Sequence, residues 1–381
     1  MRGPLGSEKQ PEIQLRGHIP ALDGVRGFAA ATVFLYHYGG GAQSTFLPLR
    51  IIGIALHFGW AGVSLFFVLS GFLISGILWD SFPKGNWWKR FYARRSLRIF
   101  PLYYLALLIA FVGELILGTP LRQLSTFWAY LLYLGNVPSL LAALPILPQN
   151  LTVNHFWSLA VEEQFYLIWP FLLLLCAGKR PKAKRLILGM WVFSLVYRLA
   201  ILGLHIRPEW QWEFLLGRVG ELGAGAYLAM LVRGDAEERG RLVRWLPWTL
   251  AGSFLLLIPT IAISNGGEFD NPWMSTVGLA VCSIFFVSLV GSALKPGWVQ
   301  SIFSTPILRW LGKVSYGVYV YHLLFRTGFL WVTQRLASNL SHNAQAGVLF
   351  LVALIGTLAV ASLSFYTVES AFLRWKERVA H

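Results

Sequence analysis

Long apolar segments recur along the whole chain and constrain its fold more than any other feature. Ten of them are long enough to cross about 30 Å of hydrocarbon at roughly 1.5 Å per helical residue. They fall at 22–40, 58–79, 99–117, 156–177, 186–204, 214–232, 246–264, 273–293, 311–330 and 346–368. An eleventh stretch, 125–148, is interrupted by Pro138 and Pro145, which favours a broken or re-entrant segment. We therefore predict an all-α polytopic membrane protein with about ten transmembrane helices.

The composition excludes a soluble globular protein. Hydrophobic residues make up 56% of the 381 residues and charged residues only 13%, whereas soluble domains carry about 25% charged residues. Both cysteines, Cys176 and Cys282, lie in apolar segments, so neither a disulfide framework nor a cysteine zinc site is predicted. The eight histidines are scattered without metal-ligand spacing, and no metal site is expected.

The placement of Lys and Arg predicts the orientation in the membrane. Of the 32 basic residues, 24 fall in segments on the side of the N-terminus, 4 on the other side and 4 within spans. This bias is typical of cytoplasmic loops, so both termini are predicted to be inside. We divide the chain into an N-terminal cytoplasmic tail (1–18), a membrane domain (19–369) and a C-terminal cytoplasmic tail (370–381). The bias also accounts for the net charge of +15 without a nucleic-acid partner.

The first predicted span contains three ionisable residues, which are costly in lipid and mark candidate functional positions. They are Asp23, Arg26 and His37. Arg26 and His37 are eleven residues apart, so they project from one helical face about 16 Å apart along the axis. The small residues Ala30 and Val33 lie between them and would leave a groove. A neutral imidazole is the usual general base near pH 7; the alternative is an Asp23–Arg26 pair at the interface with His37 bonded to a neighbouring helix.

Two pairs of charged residues that contain arginine have a spacing of three residues. Arg95 and Arg98 open the third span, and planar guanidinium pairs bind phosphates well. The alternative is a solvated basic cluster at the cytoplasmic surface. Arg218 and Glu221 have the same spacing within a later span and are interpreted as a structural ion pair.

Two further spans carry polar residues near their ends. The adjacent carboxylates Glu162 and Glu163 point about 100° apart on a helix, so they are not expected to line one groove together. Either one faces a pocket while the other pairs with Arg or His, or both lie at the helix N-terminus, where anions are favoured. Ser315, Tyr319 and His322 share a helical face that would line a polar channel or bond neighbouring helices.

Five segments together resemble the motifs of the acyltransferase 3 family of membrane acyltransferases. The first combines residues 22–27 with His37 and contains an Arg followed, after ten residues, by a His. The others are 66–74, 95–101, 157–166 and 315–322, which occur in the family's order. Residues 185–300 carry no matching motif.

The resemblance implies transfer of an acyl group, commonly acetyl, from a cytoplasmic acyl-CoA to a hydroxyl of a carbohydrate or other acceptor. It implies no permanently bound cofactor, and the expected location is the bacterial plasma (inner) membrane. His37 would be the general base and Arg26 a substrate or donor contact. Arg95 and Arg98 would bind CoA phosphates, and Glu162 or Glu163 would orient or polarise a reacting group. The expected substrate pocket comprises Asp23, Ser315, Tyr319 and His322.

A multi-span transporter of a lipid-linked or acylated substrate is the main alternative, because transporters also place His, Glu and Arg within spans. That class predicts paired broken helices in two related halves. The sequence shows one interrupted segment and no internal repeat. A non-catalytic scaffold is the third possibility, but it gives no reason to bury Arg26 and His37 on one face.

Overall fold

The structure of the protein, a computed structural model, describes residues 17–39, 47–83, 85–144, 150–176 and 178–378. Residues 1–16 and 379–381 of the two predicted tails lie outside the described residues, as does Pro145 of the interrupted segment. Most of the described part of the predicted C-terminal tail is helical.

The described residues form helices and no strand. Two short 3₁₀ segments, Phe58–Ala61 and Asn154–Phe156, and two π-helical segments, Met274–Gly278 and Phe365–Glu369, adjoin the α-helices. The α-helices are α1 (Pro20–Tyr38), α2 (Leu47–His57), α3 (Gly62–Ser81), α4 (Trp87–Ile116), α5 (Leu121–Leu124), α6 (Phe127–Leu131), α7 (Pro138–Ala143), α8 (Trp157–Leu174), α9 (Arg180–Gly203), α10 (Glu209–Trp212), α11 (Leu215–Val232), α12 (Ala236–Ile263), α13 (Leu279–Ala293), α14 (Trp298–Phe303), α15 (Pro306–Leu324), α16 (Arg326–Ala337), α17 (His342–Ser364) and α18 (Ser370–Arg378).

Seven helical stretches of the described chain are long and apolar enough to cross a membrane, so the protein is an all-α polytopic membrane protein. They are Arg50–Ser81, Trp87–Ile116, Arg180–Gly203, Glu209–Val232, Ala236–Ile263, Met274–Ala293 and His342–Trp375. The predicted spans 22–40 and 156–177 correspond to α1 and α8, and 311–330 overlaps α15 but continues past Phe325 into α16. The helices α1, α8 and α15 carry most of the candidate site residues, which makes them less apolar than the seven stretches. The number of spans and their orientation stay predictions.

The interrupted segment 125–148 is broken, as its prolines predict. Its helices α6 and α7 have only five and six residues, and Pro138 is the first residue of α7. Gln164 of α8 fixes the connection between them: its side-chain amide donates to the Asn136 side chain at 2.7 Å and to the Tyr133 carbonyl at 2.9 Å. The segment is therefore attached to the helix that carries Glu162 and Glu163.

Close packing of α1 against α15 replaces the expected groove between Arg26 and His37. A Cβ atom on Gly27 would lie 2.2 Å from a backbone oxygen of α15, and one on Gly312 would lie 1.9 Å from a backbone oxygen of α1. Ala30 and Val33 are buried in this part of the core, with 1% and 2% exposure. The groove prediction is wrong because small residues in membrane helices also permit close helix contact, and here they do so.

Residues 185–300, which carry no recognised motif, include α11, and α11 packs against α3. A Cβ atom on Gly71 of α3 would lie 1.9 Å from a backbone oxygen of α11, and the reciprocal contact of Gly225 is 1.8 Å. The predicted pair of Arg218 and Glu221 is confirmed at 3.1 Å, with both side chains at 1% exposure or less. Arg218 also donates to the Ser64 hydroxyl of α3 at 3.1 Å. These contacts hold α3 in place beside the site described next.

Candidate functional site

A cavity of about 110 Å³ lies where α1, α3, α4, α8 and α15 meet. Each of these helices carries one of the five motif segments, which lie far apart in the sequence. Apolar side chains such as Phe66 and Leu73 complete the wall. The polar lining residues are Arg26, Ser70, Arg95, Arg98, Ser158, Glu162, Glu163, Tyr166, Ser315, Tyr316 and Tyr319.

Three arginines face this cavity. Arg95 and Arg98 of α4 both line it, which confirms that they share a face, and Arg26 reaches it from α1. Arg26 also contacts Asp23 at 3.6 Å, so the expected pair at the start of α1 is present. Asp23 itself lies outside the cavity and bonds to His18 at 2.5 Å. Guanidinium groups that share so small a space repel one another, so an anion bound among them would be stabilised.

Both adjacent carboxylates of α8 reach the cavity, contrary to the expectation that only one could. Glu162 accepts a 2.9 Å hydrogen bond from the Tyr166 hydroxyl. Oε1 of Glu163 is buried without a hydrogen-bond partner among the described residues. Two positions that point about 100° apart on α8 therefore line the same cavity. Neither residue is in the first helical turn, because α8 begins at Trp157, and helix capping therefore does not explain them.

One face of α8 contributes more than the sequence analysis identified. Ser158, Glu162 and Tyr166 follow one another at intervals of four residues and all line the cavity, a spacing that could have revealed them. The Tyr166 hydroxyl is hydrogen-bonded to Ser70 of α3, and the Arg95 guanidinium lies 5.0 Å from the centre of the Tyr166 ring. Glu162, Tyr166 and Arg95 are thus linked into one network.

His37 and His322 lie outside the cavity, in a cluster with His155. The ring centres of His37 and His322 are 4.9 Å apart, and those of His322 and His155 are 5.1 Å apart. His155 was missed as a site residue because nothing in its own segment indicates the contact with α15. Among the described residues, no group of His, Cys, Asp and Glu side chains has a geometry that could hold a metal ion.

Tyr319 separates the cavity from the histidine cluster and touches both. Its hydroxyl lines the cavity beside Ser158, to which it is hydrogen-bonded, and donates to the His155 carbonyl at 2.9 Å. Its ring centre is 5.6 Å from that of His322. The expected polar face of α15 is therefore divided, since Ser315 and Tyr319 line the cavity and His322 lies beyond it.

Comparisons with known proteins agree with the resemblance of the five motif segments to the acyltransferase 3 family. The family model described as an acyltransferase domain, that of the acyltransferase 3 family, matches residues 19–366. A peptidoglycan O-acetyltransferase of Listeria monocytogenes is 27% identical over 386 aligned residues, which cover 93% of this chain and 56% of the relative. A putative peptidoglycan O-acetyltransferase of Bacillus subtilis is 29% identical over 338 residues, covering 82% and 49%. A putative O-acetyltransferase of Staphylococcus aureus is 28% identical over 324 residues, covering 80% and 50%.

The similarity covers most of this chain but only part of each relative. The chain spans about half the length of the curated relatives it matches, and no solved structure is significantly similar to it. The family match nevertheless includes α1 to α17 and every candidate site residue. The chain therefore belongs to the acyltransferase 3 family.

Proposed function

We propose that this protein is an O-acetyltransferase of the plasma membrane. It moves an acetyl group from cytoplasmic acetyl-CoA to a hydroxyl of a carbohydrate acceptor on the opposite face. The acceptor class follows the names of the relatives, which makes a cell-wall glycan such as peptidoglycan the first candidate. The convergence of all five motif segments on one cavity that contains three arginines and two carboxylates carries the proposal.

The arginine cavity would bind the donor, and the acetyl thioester of the donor would extend past Tyr319 towards His37. The nucleotide would extend along α4 towards its exposed Lys89 and Arg90, with Arg95 and Arg98 binding donor phosphate or carbonyl oxygens.

His37 would act as the general base on the acceptor side. Its side chain is only half-buried, and its Nδ1 is bonded to the Val33 carbonyl at 2.9 Å. Because a neutral imidazole has one donor and one acceptor nitrogen, this bond leaves Nε2 free to take a proton. His37 would remove the proton of the acceptor hydroxyl as the oxygen attacks the thioester carbonyl, and CoA would leave as the thiolate.

The proposal is tested by following free CoA thiol when purified protein in detergent is supplied with acetyl-CoA and cell-wall oligosaccharides. We expect thiol release that depends on the acceptor, with an acetylated sugar detected by mass spectrometry. His37→Ala should lower transfer by about 10²–10⁴-fold, the usual contribution of general base catalysis.

His205→Asn is the matched control. His205 has a φ of 52°, a left-handed conformation that Asn tolerates well, and it lies outside the cavity and the histidine cluster. We expect wild-type transfer from this variant. Full activity in His37→Ala would show that His37 is not the general base. Movement of a substrate across the membrane without thiol release would favour the transporter.

A further inference from the structure

A groove of about 560 Å³ runs between α9 and α12 and shares no residue with the arginine cavity. Its walls are apolar side chains such as Leu188 and Leu242, and α11 and α13 form its floor. The floor is low because α11 presents Gly223 and Ala224 there. In the most apolar stretches of α9 and α12, only 22% of the residues are buried. An exposed apolar surface of this length is covered by hydrocarbon in a membrane, so the groove is open to a lipid chain.

The groove has the depth of one leaflet of a bilayer. Its lining residues extend along α12 from Glu238 to Thr249, a rise of about 16 Å at roughly 1.5 Å per residue. Half of the hydrocarbon core of a bilayer is about 15 Å thick. Glu238 and Arg241 lie at the end where α9 begins and α11 ends, which is the predicted cytoplasmic side. The groove therefore matches one acyl chain that enters with its headgroup at this end.

The negative charge at this end is already paired. Among the described residues that line the groove, Glu238 is the one carboxylate. Lys184 donates a hydrogen bond to its Oε1, and the Arg180 guanidinium lies 3.0 Å from its Oε2. One carboxylate and two cations leave a net positive charge, so Glu238 does not repel an anion from the mouth of the groove.

Arg241 is positioned to bind an anion at this mouth. Its side chain is 63% exposed, and its partner Glu237, at 3.4 Å, is 80% exposed. Because exposed ion pairs contribute little to stability, Arg241 can exchange this contact for a phosphate at small cost. Arg185 is also exposed and lies one helical turn before Leu188 of the groove wall. Two guanidinium groups are therefore present at the mouth.

We propose that the groove binds one anionic phospholipid of the surrounding bilayer. The segments around its charged end, 179–185 and 233–244, contain nine basic and three acidic residues, and basic residues next to membrane helices attract anionic headgroups. The phosphate would bind Arg185 and Arg241, and one acyl chain would fill the apolar part. The lipid would thereby bridge α9 and α12, and its binding does not depend on acetyl transfer.

Native mass spectrometry of the purified protein tests the site with two probes of matched acyl chains, phosphatidylglycerol and phosphatidylcholine. We expect the wild type to retain one phosphatidylglycerol at least about tenfold more tightly than phosphatidylcholine, since two basic residues contact the headgroup. Arg241→Gln should lower the affinity for phosphatidylglycerol about fivefold, the contribution of one basic residue, and leave that for phosphatidylcholine unchanged. Ala224→Phe should lower the affinity for both lipids, because its ring occupies the floor of the groove.

Two substitutions outside the groove are the controls. Arg335→Gln removes an exposed charge of α16, and Ala262→Phe adds a ring at an exposed position of α12; neither should change lipid binding. A ligand that binds only the folded protein raises its melting temperature. Phosphatidylglycerol should therefore raise the melting temperature of the wild type and of both controls, and not that of Ala224→Phe.

Equal retention of the two phospholipids by the wild type, or an unchanged preference in Arg241→Gln, would overturn the proposal. Retention of a polyprenyl phosphate in place of phosphatidylglycerol, when both are supplied, would assign the groove to a different lipid class. A lipid-free dimer that Ala224→Phe dissociates would show that a second copy of the chain covers the groove. Either of these results would also overturn it.

Discussion

The Tyr166 hydroxyl donates a 2.9 Å hydrogen bond to Oε2 of Glu162, one helical turn away. The same tyrosine packs under the guanidinium of Arg95 and bonds to Ser70. One aromatic side chain therefore fixes the carboxylate of α8 relative to the arginines of α4. Because small errors in the position of charged groups lower reaction rates strongly, the site should depend on this residue.

Tyr166→Phe removes the hydroxyl and keeps the ring under Arg95. Glu162 and Ser70 then lose a buried partner, and we expect transfer to fall by about 10–100-fold, since a hydrogen bond to a charged group contributes about 1.5–3 kcal/mol. The measurement is the initial rate of acceptor-dependent thiol release. Tyr366→Phe is the control, because Tyr366 is 61% exposed; equal losses in both variants would show that the effect is not local.

Arg98 should determine affinity for the donor. Arg98→Gln removes a charged donor from the cavity, and we expect the KM for acetyl-CoA to rise by about 10–100-fold, equivalent to about 1.5–3 kcal/mol. Arg98→Lys should be intermediate, because Lys keeps the charge but lacks the planar fork. The exposed Arg244 provides the control as Arg244→Gln. An unchanged KM in Arg98→Gln would exclude Arg98 from donor binding.

The buried pair of Arg218 and Glu221 should matter for stability. Arg218→Met leaves Glu221 as a buried charge without its partner, which typically costs about 3–5 kcal/mol. Arg241 and Glu237 form a matched exposed pair at 3.4 Å, with side-chain exposures of 63% and 80%, and Arg241→Met should cost less than about 1 kcal/mol. Thermal unfolding of both variants in one detergent tests the difference, and similar melting temperatures would contradict it.

The contact between α1 and α15 should not tolerate a methyl group. Gly27→Ala places a carbon against a backbone oxygen of α15, and overpacking of this kind costs about 1–3 kcal/mol. Gly189→Ala is the control, because no atom lies within 4 Å of its added carbon and Ala favours a helix by up to about 1 kcal/mol. We expect a lower melting temperature only for Gly27→Ala. Equal melting temperatures would show that the helices separate at little cost.

Helical periodicity was sufficient to place the charged part of the site. Arg95 and Arg98 were expected on one face from their spacing alone, and Arg218 with Glu221 formed the predicted pair. Helical structure was expected in the ten apolar segments, because a chain that spans a membrane must satisfy its backbone hydrogen bonds internally. Nine of the segments correspond to one helical stretch each, whereas 311–330 is divided between α15 and α16 at Phe325. Local spacing determines which residues share a helical face, and this information is in the sequence.

The contacts between helices could not be predicted in the same way. The sequence places His37 on the face of Arg26, but packing of α15 over Ala30 separates His37 from the cavity and brings it to His322 instead. Similarly, the approach of His155 to α15 depends on a non-local arrangement that periodicity does not encode. The access of both Glu162 and Glu163 to one cavity is also a property of the assembled helices.

We propose that the donor binds at the arginine cavity and the acceptor at the His37 end, from opposite faces of the membrane. Right-side-out membrane vesicles that contain this protein test it most directly. They are loaded with acetyl-labelled acetyl-CoA and given an impermeant cell-wall oligosaccharide outside. We expect labelled oligosaccharide outside and free CoA inside in equal amounts, and about 10²–10⁴-fold less of both with His37→Ala. Label that appears only when both substrates share one compartment, or an equal yield from His37→Ala, would contradict it.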